Sequence, residues 1–120
     1  MVTIVFHKGM TLEKWATLPA SKQVLNIASE LGRAESMAHS GLGEALKASL
    51  ERVLELVDLT VEVNLKNHGF VREMLRFREL VAGIYVGPLS KPSAGEFKSL
   101  TKALLSLEPG AYNLLGVAIL

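Results

Sequence analysis

PASKQVLNIASELGRAESMAHSGLGEALKASLERVLELVDLTV, residues 19–61, reads as a helix, a tight turn and a second helix. From Ala20 to about His39 the apolar residues Val24, Ile27, Ala28, Leu31, Ala34 and Ala38 recur at intervals of three and four. That is the spacing of one helical face. Pro19 fits the first turn, where a missing N–H costs nothing. The run His39-Ser40-Gly41-Leu42-Gly43 is too short to do anything but reverse the chain, so the next helix runs antiparallel to the first. It opens near Leu42 and carries Leu46, Leu50, Val53, Leu54, Val57 and Val61 in one stripe, with Lys47, Glu51, Glu55 and Asp58 on the far side. Over residues 59–66 apolar and polar residues also alternate as in a strand, and that reading stays open. The continuation of the stripe to Val61 favours helix. Asn67-His68-Gly69 is expected to stop it.

Outward from this helical pair, a third helix is expected from about Phe70 to Tyr85. Its apolar arc includes Phe70, Met74, Leu75, Phe77, Leu80, Val81 and Ile84, wide enough to be covered on more than one side. Residues 87–92 form a loop. Ser93 and Glu96 have capping-box spacing, and Phe97, Leu100, Leu104 and Leu107 give a fourth helix its buried face before Pro109-Gly110. Residues 111–120 read as a short helix or as a strand that Val2–Phe6 could pair with. At the other end, residues 1–10 form an extended arm, and Thr11 caps a turn in which Trp15 and Leu18 plug one end of the core. The expectation is an all-α antiparallel four-helix bundle, one domain over residues 1–120, with an extended N-terminal segment and a short C-terminal helix.

Composition narrows the function classes. Apolar residues make up 49% of the 120, enough for one core with apolar surface left over, which a small bundle often hides by self-association. The net charge of +1 excludes a chain that binds nucleic acid by overall charge, so any basic patch must be local. Without cysteine there is no disulfide framework, thiolate metal site or cysteine nucleophile. No stretch reaches the roughly 20 apolar residues that span a bilayer, and the N-terminus lacks a signal-peptide pattern. A soluble cytoplasmic protein with no membrane contact is expected.

Most charges fall opposite the apolar stripes, but Glu35 and Arg78 fall on the apolar side of their helices. A buried charge is costly without a partner, so Glu35 and Arg78 are expected to form a buried ion pair or face a second subunit. Lys66, Arg72 and Arg76 gather on the third helix and its approach, and could grip phosphates. His7, His39 and His68 share no ligand spacing, and no cofactor or metal is expected. Arg33 and His39 are similar to the Arg…His element of HEPN-type ribonucleases, which implies ribose-phosphate chemistry as an alternative function.

Four segments, 13–19, 25–34, 50–60 and 72–80, together resemble a family of small uncharacterised prokaryotic helical-bundle proteins over about residues 10–120. That likeness implies the same helix order and no site residues. The Met74-Leu75-Arg76-Phe77 region is also similar, more loosely, to the four-helix bundles of ribosomal-RNA intervening-sequence proteins and to accessory variability determinants of diversity-generating retroelements. This second likeness implies a ring-like homo-oligomer that works beside nucleic acid and a reverse transcriptase. Those proteins are strongly basic, whereas this chain is nearly neutral. The combined expectation is a non-enzymatic adaptor that self-associates, takes a protein partner and serves as an accessory to a nucleic-acid-acting protein.

Overall fold

The computed structural model describes residues 3–87 and 94–110. Its elements are α1 (Leu12–Ala16), α2 (Ala20–His39), α3 (Gly43–Val63), α4 (His68–Val86) and α5 (Ala94–Ser106), with no strand among the described residues. The four long helices form an antiparallel bundle in which α2 packs on α3 and α5, and α4 packs on α3 and α5. The backbone is helical again at Pro109 and Gly110, and Gly110 lies against Ser21 at the start of α2. Ser93 and residues 111–120, with the choice of helix or strand for the latter, lie outside the described residues.

The α2–α3 reversal is fixed by backbone chemistry. Gly41 takes φ +70, its N–H donates to Ala38 O, and Leu42 N–H donates to Met37 O at 3.1 Å. This pair of bonds satisfies carbonyls that the end of α2 would otherwise leave bare, and the left-handed turn needs a residue without a Cβ. α3 stays helical through Val63 and residues 64–66 form a turn, so over residues 59–66 the helical reading holds as far as Val63 and the strand alternative does not form. Asn67-His68-Gly69 does not stop α3, which has already ended at Val63. Asn67 instead starts α4, its side chain accepting from Phe70 N–H at 3.3 Å, because a short amide acceptor is a good helix N-cap.

The core is the merged stripes: Val24, Ile27, Leu31 and Ala34 from α2, Leu46, Leu50, Val53 and Val57 from α3, Met74, Phe77 and Val81 from α4, and Phe97 and Leu104 from α5. Leu56, Leu59 and Thr60 are also buried, which widens the covered arc of α3 well beyond the single stripe. α1 is what covers the extra arc. Thr11 caps it by accepting from Lys14 N–H, and Trp15 is buried with its indole N–H donating to Thr60 Oγ1 at 3.1 Å. Gln23 ties the same corner together, donating to the carbonyls of Trp15 and Leu18 and accepting from Asn64 Nδ2 at 2.8 Å. Pro19 is the N-cap of α2, one position earlier than the first turn.

Candidate functional site

The densest polar cluster joins the N-terminal arm to the bundle. Thr3 to Met10 carry no regular structure and end in a turn closed by Met10 N–H to His7 O at 3.1 Å, with Gly9 at φ +85. This turn aims the preceding N–H groups at one residue of α3. Glu55 accepts from Val5 N–H at 2.7 Å, Phe6 N–H at 2.9 Å and His7 N–H at 2.8 Å. It also takes His7 Nδ1 at 2.7 Å. The other imidazole nitrogen faces Glu30 Oε1 at 3.4 Å. Glu30, on α2, is held by Arg33 Nη1 at 2.9 Å and Arg52 Nε at 3.4 Å, and Arg52 Nη1 donates to Phe6 O at 3.2 Å.

Both carboxylates are buried, and burial alone would raise their pKa. At Glu55 the N–H groups of Phe6 and Val5 and the His7 imidazole outweigh burial and draw it down to about 2. At Glu30 the hydrogen bonds and positive charge of Arg52 and Arg33 outweigh burial, leaving its pKa below the ordinary value. Two carboxylates around an imidazole have the residue types of an acid–base site. Their surroundings do not suit that work: the lone pairs of Glu55 are taken by N–H donors, and a carboxylate held this acidic is a weak base near neutral pH. Among the described residues no group of His, Asp and Glu is placed to hold a metal ion, and no buried side-chain polar atom lacks a partner. The cluster fastens the arm.

The sequence places Glu55 on the solvent side of its helix, and the structure overturns this because the arm supplies a third layer there. The available signal is Leu59, which falls outside the main stripe close to the side of Glu55 and is fully buried.

The expected Glu35–Arg78 pair does not form. Arg78 Nε lies 2.6 Å from Asp58 Oδ1 on the adjacent α3, an ion pair that leaves both side chains more than a third exposed. Asp58 raises the pKa of Arg78 against the opposing effect of burial. Glu35 is half-buried on α2 and makes no ion pair among the described residues. The physical reason is reach: α3, not α2, neighbours the flank of α4 that bears Arg78, and Asp58 is the carboxylate that meets it there.

Lys66, Arg72 and Arg76 are all exposed, at the α3–α4 link and along the outer face of α4. Arg76 reaches Glu73 at 3.3 Å, one turn back, while Lys66 and Arg72 make no ion pair among the described residues. Arg33 is 62% exposed and committed to Glu30, and His39 is exposed at the last position of α2. No hydrogen bond joins Arg33 to His39.

α4 also carries apolar side chains turned to solvent. Leu75 is 45%, Leu80 56% and Val86 80% exposed. Beside Leu80 an open groove of about 720 Å³ runs between α4 and α5, lined by Leu80, Ile84, Leu100 and Ala103 with Gly95, Glu96 and Ser99 at its polar edge. No described helix is long and apolar enough to cross a membrane. In comparisons with protein-family models, curated proteins and solved structures, nothing matches this chain.

Proposed function

We propose that the chain is a non-enzymatic helical-bundle adaptor that self-associates and serves as an accessory to a protein acting on nucleic acid. The observation that carries this reading is that Leu75, Leu80 and Val86 all stand exposed on α4, Leu75 and Val86 along one edge of its outer face and Leu80 along the other, beside an apolar groove. Scattered exposed apolar residues are ordinary, but several on one element beside a groove mark a contact surface. The polar cluster that would otherwise suggest catalysis is used up in fastening the arm. The likeness of the Met74–Phe77 region to ring-forming accessory proteins points the same way, and Lys66, in the α3–α4 link and off the outer face of α4, remains accessible to a phosphate backbone.

Sedimentation equilibrium of the full chain from low micromolar to near-millimolar concentration tests the association. Reversible formation of a defined oligomer is expected, and a monomer throughout would refute the reading. Fluorescence anisotropy with labelled RNA and DNA at low salt tests the accessory role. Binding that weakens as salt rises, and weakens further in Lys66→Ala, is the expected result.

A further inference from the structure

We infer that two copies of this chain associate through α4, packed antiparallel about a twofold axis that passes between Leu75 and Arg76. The inference rests on the self-association proposed above and names its surface. Looking down α4, the side turned away from the core carries, in angular order, Leu75, Val86, Glu79, Arg72, Gly83, Arg76 and Leu80. Arg72 and Glu79 are both exposed, and neither makes an ion pair within the described residues. In an antiparallel pair with its axis between Leu75 and Arg76, each Arg72 comes level with Glu79 of the other copy, on the same side of the contact. The same register brings the two Leu75 side chains together at the axis, removing from water a leucine that is 45% exposed in the single chain. The register also brings the two Arg76 side chains near the axis, where each carries Glu73, at 3.3 Å, as the opposite charge. Gly83, with nothing near the position of a Cβ, lets the second helix approach closely. A self-complementary surface of this kind is what closed twofold symmetry requires.

Charge reversal tests it, because both residues are on the surface and their replacement spares the fold, as circular dichroism of each variant would confirm. Arg72→Glu and Glu79→Arg should each weaken dimerisation about tenfold or more in sedimentation equilibrium at low salt. The double variant should return to within about threefold of the parent. Leu75→Glu should weaken it as strongly as either reversal. If the chain associates but none of these changes alters the affinity, or the double variant gains nothing over the singles, α4 is not the contact while self-association stands. A chain that stays monomeric overturns both.

Discussion

Replacing Glu55 by Gln keeps the shape of the side chain and removes its charge, so it isolates what the carboxylate does for the arm. Oε2 faces the N–H groups of Val5 and Phe6, and Oε1 faces the N–H and Nδ1 of His7. Turned toward Val5 and Phe6, its NH₂ meets two donors that previously had an acceptor; turned the other way, it meets the His7 N–H and an imidazole nitrogen that accepts only if the ring proton moves to Nε2, facing Glu30. A hydrogen bond to a charged group is worth about 1.5–3 kcal/mol net, so two of them set an upper figure of about 3–6 kcal/mol. The arm can relieve part of this by lifting into water, since Val5 and Phe6 are already exposed and, among its described apolar residues, only Ile4 and Met10 rest on the core. The expected loss is therefore about 2–4 kcal/mol, or a fall in Tm of roughly 6–20 °C for a domain of this size. Urea unfolding followed by far-ultraviolet circular dichroism gives the free energy, and hydrogen exchange reads the amides of residues 5–7 directly. A loss below about 0.5 kcal/mol, the size expected of an ordinary surface change, with those amides still protected, would refute the clamp.

Acid should act on the same contact. Glu55 is held at about 2 against an ordinary 4.5, so its contribution is complete above the ordinary value and drains away as pH falls toward 2. Between those limits the parent should lose stability more steeply than Glu55→Gln, and parallel slopes would count against the assignment. Arg78→Ala should cost about 0.5–1 kcal/mol, because it strips Asp58 of a partner in a half-exposed pair, and Arg72→Ala should cost less. The reverse order in chemical denaturation would mean that the α3–α4 flank is misassigned. Gly41→Ala should destabilise by about 1 kcal/mol through backbone strain alone, since φ is +70 and there is open space where the methyl would sit. An unchanged Tm would show that the turn relaxes.

Helical spacing was enough to locate α2 and to carry α3 past Asp58, because a repeating apolar face is written in consecutive residues. The same residues could not reveal that Glu30 and Glu55 are buried. Their burial depends on Val5, Phe6 and His7, some 23–50 positions away, folding over a surface that the helix pattern alone marks as wet. The partner of Arg78 was hidden for a related reason: projection shows that a charge sits near the apolar side, not which neighbouring helix brings the opposite one. In sequence, Asn67 reads as an end as readily as a beginning because the short amide serves both termini, and only the Phe70 N–H, turned toward its side chain, decides between them.

The wiring of residues 3–18 has a consequence for how the chain is made. Trp15 and Val5 find their anchors 45 and 50 positions later, on α3. At a synthesis rate of roughly 5–20 residues per second, those early residues leave the ribosome several seconds before their anchors on α3 do. Until then an indole and a row of free N–H groups are open to chaperones and to misplaced pairing. The α2–α3 reversal, whose contacts are local, is the platform that must assemble first, and the beginning of the chain is the last part to settle.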